Sequence, residues 1–218
     1  MRKLLQFLFI TSMVIFTGCC REDCANTYII QGTVISAVDG TPSIGFDVEL
    51  EEQVLENGVL NGFFETAGTT TTDASGYYYL EFERKNALAY KLNVEFDGWF
   101  PVSTEVHPDN FTPDVAHDVD VITTPIAELE INVLNAPPSL DTDKMRVRLL
   151  KSFTEFSNCH TEWVVMHGEV VDTTWGCVLP GDIWMPYLSI DQSEDDEVAN
   201  TDSVFCTRFQ TAVINVVY

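Results

Sequence analysis

Residues 73–82 read DASGYYYLEF, a polar turn that leads into an alternating run of side chains, and this stretch decides the fold. The Asp73 side chain can accept backbone N–H bonds across the turn. Gly76 can adopt a positive φ without the steric cost that a Cβ atom would add. The stretch therefore predicts a tight turn followed by a β-strand.

The three consecutive tyrosines do not form one surface in such a strand. Successive side chains point to opposite faces, so Tyr78 shares its face with Leu80 and Phe82. Tyr77 and Tyr79 lie together on the other face, about 7 Å apart along the strand. We therefore treat Tyr77 and Tyr79 as candidate ligand-facing aromatics, which could stack on a sugar or simply shield the sheet.

The same period of two recurs along the rest of the chain. Apolar and polar residues alternate in four further segments, 46–51, 90–97, 115–121 and 127–133. Alternation of this kind, broken by Gly, Pro, Asp and Asn, is typical of short antiparallel strands. We find no segment with helical periodicity after the N-terminal region. The sequence therefore predicts an all-β protein built from antiparallel β-sandwiches.

Pro125 divides the chain into two parts of similar length. Proline cannot donate to a β-ladder, so it favours a strand start or a break between sheets. We therefore expect two sandwich domains in series, at 27–123 and 124–218.

The first part carries motifs in a characteristic order. A G-x-V strand, a turn, a V-x-L strand and a T-D-x-x-G-x-aromatic segment follow one another as 31–34, 39–42, 46–50 and 72–78. This order resembles the carboxypeptidase regulatory-like module, a transthyretin-like sandwich. The resemblance implies a non-catalytic module with Tyr78 packed into its core. The segment 52–68 is longer and more acidic than the usual link, which predicts a modified loop. For 124–218 we expect a sandwich of Ig-like type without an assigned family.

The N-terminus has the pattern of a secretory signal. A basic start precedes an apolar stretch of about 13 residues, whereas a spanning helix needs roughly 20. The following residues, Phe16-Thr17-Gly18-Cys19, resemble the lipobox of bacterial lipoproteins. The resemblance implies that residues 1–18 are a signal peptide, that Cys19 carries lipid, and that 19–26 form a tether.

Two further features indicate display outside the cell. Arg21-Glu22-Asp23 resembles the surface-export signal of Bacteroidetes lipoproteins, which implies an outer-membrane, surface-exposed location. Residues 19–218 hold nine basic and 34 acidic side chains, a net charge of −25. So acidic a chain lacks the basic footprint that nucleic acid requires. We expect the lipid at Cys19 to be its link to the membrane.

Three cysteines lie in the last third of the chain, Cys159, Cys177 and Cys206. An oxidising compartment permits one disulfide and one leftover thiol, and all three pairings are open. Cys159 and the adjacent His160 point to opposite faces of an extended chain, so they are poor partners for nucleophilic catalysis. His117 falls in the apolar register of its strand and is expected to be half-buried. We predict no catalytic residue.

Acidic residues cluster at 51–52, 141–143 and 193–197. Solvated acidic loops are the expected structure, with a surface calcium site as the alternative. None has a regular ligand spacing, so we predict no metal and no cofactor.

The second part contains an unusual basic strand. Arg146 and Arg148 alternate with apolar residues, and Lys144 and Lys151 lie beside them. We expect these cations to meet acids on neighbouring strands, with docking of an acidic glycan or partner as the alternative. The tryptophans of this part are expected in the core, with sugar stacking as the alternative; they are Trp163, Trp175 and Trp184.

Together these features predict a non-catalytic outer-membrane lipoprotein that displays an interaction or structural β-sandwich at the cell surface. The alternative is a glycan-binding accessory lipoprotein of a nutrient-uptake system, and a small hydrolase is the third function considered. The expected partners are the membrane, through Cys19, and another surface protein or a glycan. The last two functions differ in what they require. A glycan binder needs coplanar exposed aromatics, whereas a hydrolase needs facing carboxylates or a nucleophile beside a base.

Overall fold

A computed structural model describes residues 26–56, 59–60, 62–137, 139–153, 159–193 and 197–218 of the chain. The predicted signal peptide (1–18), Cys19 and nearly all of the tether lie outside these residues. The regular secondary structure of the described part is almost entirely β-strand, which confirms the all-β prediction. Within it, the helical structure is limited to the 3-10 helix Pro108–Asn110.

Nine strands of the described chain precede Thr124. They are β1 (Thr27–Ser36), β2 (Asp47–Glu56), β3 (Val59–Leu60), β4 (Glu65–Thr71), β5 (Tyr77–Glu83), β6 (Ala87–Glu95), β7 (Val102–Val106), β8 (Ala116–Asp118) and β9 (Val121–Thr123). Seven more follow. They are β10 (Ile126–Leu134), β11 (Lys144–Leu149), β12 (Val164–His167), β13 (Asp172–Pro180), β14 (Ile183–Asp191), β15 (Val198–Cys206) and β16 (Thr211–Val217).

The first nine strands form two sheets around one core. One sheet has the order β5-β1-β8, with β9 also paired to β1, and the other has the order β3-β2-β6-β7, with β4 also paired to β2. The prediction of antiparallel pairing fails at one strand, since β1 runs parallel to both β8 and β9. The chain crosses between the sheets after β7 and returns beside β1 in the same direction.

The last seven strands form a second pair of sheets, β13-β10-β16 and β12-β11-β14-β15. Here too one pair departs from the prediction, because β10 and β16 are parallel. The first and last strands of this part are therefore neighbours, an arrangement that joins its two ends within one sheet.

Each pair of sheets encloses its own hydrophobic cluster. The first cluster is rich in aromatic rings and includes Tyr78 and Tyr90, which are 1% and 0% exposed. The second is mainly aliphatic and includes Leu129, Val147 and Met185. Tyr78, Leu80 and Phe82 are all buried, as the alternation of β5 predicts. The boundary at 123/124 falls between β9 and β10, and the division into two domains stays a prediction.

The turn before β5 has the predicted geometry. The Asp73 carboxylate accepts hydrogen bonds from the backbone N–H groups of Ser75 and Tyr77, at 2.8 and 3.0 Å. A hydrogen bond from the Ser75 hydroxyl, together with these two backbone bonds, lowers the pKa of Asp73. Gly76 has a φ of +74° and lies so close to Val34 that a Cβ atom would come within 2.6 Å of its carbonyl oxygen.

The acidic segment 52–68 differs from the modified loop that the sequence predicted. Most of the described residues there, 52–56, 59–60 and 65–68, form strands rather than a loop, because β2 continues to Glu56 and pairs with β3 and β4. Glu52, expected in a solvated cluster, is 1% exposed and forms an ion pair with Lys85 at 2.8 Å. Asp143 is a second correction, since it is buried and accepts hydrogen bonds from Leu140 and Asn135.

Two apolar residues also depart from the expected register. Phe96 is 44% exposed because β6 ends at Glu95, and its ring stacks on Phe46 at 4.8 Å. Val115 is 56% exposed because it precedes β8 instead of lying within it.

Candidate binding face

The outer face of the sheet β12-β11-β14-β15 begins with the basic strand. Met145, Val147 and Leu149 point into the core and are at most 5% exposed, whereas Arg146 and Arg148 point outward and are half-buried. The alternation predicted for this strand is confirmed. It follows that the cations lie side by side on one surface of the sheet.

The arginines meet the expected acids only in part, and an aromatic ring is their main neighbour. The ring of Trp163 lies 5.1 Å from the guanidinium carbon of Arg146 and 4.6 Å from that of Arg148. Arg146 also approaches Glu197 at 3.6 Å, but no described acid pairs with Arg148. Stacking on one face of a guanidinium leaves its in-plane N–H groups able to donate. Trp163 thus holds both cations in place without neutralising them.

An aromatic pair extends the same face. Trp184 and Phe205 are directly opposite in β14 and β15, with ring centroids 5.4 Å apart and an interplanar angle of 59°. They are 61% and 41% exposed, and Val165 on β12 is 45% exposed. The core prediction is wrong for Trp184, because its neighbour Met185 takes the inward position. Trp163 and Trp175 are half-buried.

We call this surface the basic–aromatic face and define it by its outward side chains. They are Lys144, Arg146, Arg148, Val165, Trp184, Leu188, Ile190 and Phe205, with Trp163 packed over the arginines. A contiguous surface of cations and exposed rings is unusual on a chain with so large an excess of acids. Aromatic residues and arginine are enriched at protein–protein interfaces.

Phe205 was not predicted as a site residue from the sequence, and Trp184 was considered only as the alternative to a core residue. The sequence pattern of this strand is ambiguous. Either of two alternating sets could face the core: Ile183, Met185 and Tyr187, or Trp184 and Leu188. Both sets are apolar, so alternation alone does not choose between them.

The two candidate tyrosines of the first part lie apart from this face. Tyr77 is half-buried, and its hydroxyl donates to the side chain of Gln31 at 2.8 Å. Tyr79 is 41% exposed and donates to Glu81, and this bond raises the pKa of Tyr79. Both hydroxyl groups are therefore engaged within their own sheet.

The three C-terminal cysteines have distinct environments. Cys159 and Cys177 form a disulfide, and Cys206 is buried as a free thiol. Burial raises the pKa of the Cys206 thiol. Cys19, the predicted lipidation site, lies outside the described residues.

A cavity of about 320 Å³ lies between the two sheets of the second part. Apolar side chains form most of its lining, and its ionisable loop residues are His160 and Glu162. Cys177, which also lines it, is bonded to Cys159, so neither sulfur is free to act beside His160. Of the described lining residues, only Glu162 supplies a carboxylate. His117, the other histidine considered, is half-buried and packs edge-on against Phe111.

The described residues contain no group of three or more His, Cys, Asp or Glu side chains placed to hold a metal ion. None of the helical structure in the described part is long and apolar enough to cross a membrane.

The sequence matches no protein-family profile and no curated protein. Among solved structures it is similar to the D295N mutant of the Lactobacillus rhamnosus GG shaft pilin SpaA, at 11% identity over 88% of this chain and 98% of the pilin, with a TM-score of 0.35. It is also similar to the Bacillus anthracis TIE protein, at 8% identity over 88% of this chain and 34% of that one, with a TM-score of 0.38.

A catechol 1,2-dioxygenase from an Acinetobacter species matches at 14% identity over 49% of this chain, with a TM-score of 0.35. This chain spans only 55% of that enzyme's length. The similar structures thus include both a dioxygenase and a shaft pilin. At such TM-scores they do not indicate which activity, if either, this protein has.

Proposed function

We propose that this protein is a non-catalytic lipoprotein of the outer membrane, exposed at the cell surface, which binds another surface protein through the basic–aromatic face. The anchor and the location rest on the lipobox-like residues 16–19 and the export-like residues 21–23. The binding role rests on one observation: Arg146 and Arg148 are held over Trp163 on a sheet face that also exposes Trp184 and Phe205, on a chain that is otherwise acidic.

A protein partner fits this face better than a glycan. A sugar-binding platform needs exposed rings in one plane, whereas Trp184 and Phe205 are inclined by 59°. Inclined aromatic rings beside arginines suit side-chain contacts at a protein interface. Because charges across an interface are complementary, we expect the partner segment that meets Arg146 and Arg148 to carry carboxylates.

Cross-linking on intact cells tests the binding role. A carbodiimide joins an amine to a carboxylate without a spacer, so the amines of Lys144 on the face and of Lys151, just beyond the end of β11, report carboxylates that meet the face or its edge. We expect mass spectrometry to find these lysines joined to carboxyl groups of another polypeptide chain. Arg146→Glu/Arg148→Glu should remove the cross-links while both amines remain. An unchanged yield in this variant would exclude the face as a binding site.

Two controls accompany the experiment. Arg84→Glu/Lys91→Glu makes the same change in charge on the first sandwich, away from the face, and should leave the cross-links intact. Lys144→Arg/Lys151→Arg keeps the charge and removes the amines, so the cross-links should vanish although binding persists.

The anchor has a separate test. Cys19→Ala should prevent lipid attachment, which mass spectrometry of the purified protein would register as a loss of the acyl mass. Protease added to intact cells should digest the wild-type protein if it faces outward. A lipid-free wild-type protein, or one protected from protease, would contradict the proposed location.

A further inference from the structure

The opposite side of the second sandwich carries a face of the reverse charge. The sheet β13-β10-β16 points Glu128 and Glu130 outward from β10. Thr211 donates to Glu128 at 2.8 Å and Asn132 donates to Glu130 at 3.0 Å. No cation among the described residues pairs with either carboxylate. Neutral donors thus fix the positions of both acids and leave their charge uncompensated.

Exposed apolar residues lie farther along the same two strands. Leu134 and Val217 are directly opposite in the parallel pair of β10 and β16, and they are 45% and 62% exposed. Val213, opposite Glu130, is 43% exposed. We call this surface the acidic–apolar face, defined by Glu128, Glu130, Leu134, Val213 and Val217.

The two faces match in the spacing of their charges. Arg146 and Arg148 are two residues apart on one strand, as are Glu128 and Glu130, so each pair spans about 7 Å. A second copy of the chain can therefore oppose two cations with two carboxylates at the same spacing.

The apolar groups match in their distance along the strands, although Trp184 and Phe205 lie on the strands beyond that of the arginines, whereas Leu134 shares the strand of the glutamates. Trp184 lies four residues from Leu188, which is level with Arg148, and Leu134 lies four residues from Glu130. The distance from charge to apolar group along the strands is thus about 13 Å on both faces. In each case the apolar group is a pair of residues directly opposite on adjacent strands.

We propose that the partner of the basic–aromatic face is a second copy of this protein, which presents its acidic–apolar face. The proposal rests on the proposed function, since it names the occupant of the same face. The two faces differ and lie on opposite sides of one sandwich, so the contact is heterologous. Each copy keeps one face free after binding, and the copies associate into an open chain.

The net charge does not prevent this contact. At physiological ionic strength the Debye length is about 8 Å, so distant acids of the two copies are largely screened from one another. The groups that meet are the arginines of one copy and the glutamates of the next, and matched charges at a contact set the partner and its orientation.

Charge reversal on each face tests the proposal. Two full-length versions with different affinity tags are expressed in the same cells and solubilised in mild detergent, and recovery of one tag with the other is measured. Wild-type copies should co-purify. Arg146→Glu/Arg148→Glu in both copies should lower recovery about tenfold, because glutamates then face glutamates. Glu128→Lys/Glu130→Lys in both copies should do the same.

The combined variant with all four substitutions is decisive, because the signs of the charges on both faces are then exchanged and the two faces are complementary again. Restored recovery supports the proposal, whereas continued loss shows that these faces do not meet. Circular dichroism and thermal unfolding confirm that each variant is folded. If cross-links at Lys144 and Lys151 lead to a different protein and wild-type copies do not co-purify, the self-association is excluded and the proposed function stands. If no cross-links form at the face, the proposed function itself is excluded.

Discussion

Arg208 joins the two sandwiches by binding Asp39 across 169 residues of sequence. Its Nη2 donates to Asp39 Oδ2 at 3.0 Å, while its Nε donates to Asp182 of its own sandwich. The next residue, Phe209, packs its ring 5.7 Å from that of Trp99. A turn of the second sandwich thus makes both a charged and an aromatic contact with the first.

Loss of Arg208 should loosen this junction. In Arg208→Ala the two carboxylates lose their shared cation, while the hydrophobic core of each sandwich is unchanged. We expect the melting temperature to fall and the two sandwiches to unfold less cooperatively, which differential scanning calorimetry would register as a broader or divided transition. Arg84→Ala, which removes an arginine from the first sandwich alone, should leave the shape of the transition unchanged. An unaltered transition in Arg208→Ala would show that the junction does not couple the sandwiches.

Stability should also depend on pH through Asp39. Hydrogen bonds from Thr41 and then from Arg208 hold the pKa of Asp39 well below its usual range. A depressed folded-state pKa gives a stabilising contribution that is present above the unfolded value of about 3.9 and is lost as the pH falls below it. Urea unfolding of Asp39→Asn should therefore show lower stability than wild type at pH 7. The difference should shrink toward pH 2, and a difference that is constant with pH would contradict this origin.

The period of two in the sequence predicted most of the strands, because each strand buries one face. It placed Tyr78, Leu80 and Phe82 inside and Arg146 and Arg148 outside. It failed where both neighbours were apolar, as at Trp184, and where a strand ended sooner than the pattern, as at Phe96. Alternation predicts which residues of a strand share a face. It does not predict the residue at which the strand ends, nor which face is buried when both faces are apolar.

Contacts between residues that are distant in the sequence could not be predicted from the local alternation of side chains. The parallel pairing of β10 with β16 follows from the path of the whole chain. The burial of Glu52 depends on Lys85, which follows β5 in the sequence and supplies the opposite charge. The stacking of both arginines on Trp163 likewise depends on a loop more than ten residues away. Such pairs appear only when the sheets are assembled.

Removal of the disulfide should destabilise the second sandwich. Cys159 and Cys177 are separated by 18 residues, and a bridge that closes a loop of this size is worth about 3 kcal/mol in the chain-entropy account. Cys159→Ser/Cys177→Ser should lower the free energy of unfolding by roughly that amount, as measured in urea.

The reactivity of the third cysteine, Cys206, tests whether its thiol is buried. Cys206 is buried and its thiol pKa is raised, so it should resist alkylation in the folded protein and react only after unfolding. Peptide mapping after brief treatment with iodoacetamide would measure this. Rapid labelling of Cys206 under native conditions, or equal stability of the double serine variant, would contradict the structure.

Gly32 should tolerate no side chain. A Cβ atom there would lie 1.9 Å from the carbonyl oxygen of Val119, which also accepts the Tyr78 hydroxyl at 2.7 Å. Gly32→Ala must push that backbone away, and overpacking of this kind costs about 1–3 kcal/mol. Gly62→Ala is the control, because nothing lies within 4 Å of its added Cβ. Chemical unfolding should show a loss only for Gly32→Ala, and equal stability of the two variants would exclude the close approach of Val119.

Trp163 should act on binding more than on stability. Its ring contacts the guanidiniums of Arg146 and Arg148, and each such contact at a partly exposed site is worth about 0.5–1 kcal/mol. Trp163→Leu frees both arginines, which must then lose rotamer entropy when they meet a carboxylate. We expect a small fall in melting temperature and a clear fall in cross-linking at Lys144. Trp163→Phe keeps an aromatic surface under the cations and should recover part of the binding. If Trp163→Leu binds as well as the wild type, pre-positioning of the arginines contributes nothing to the face.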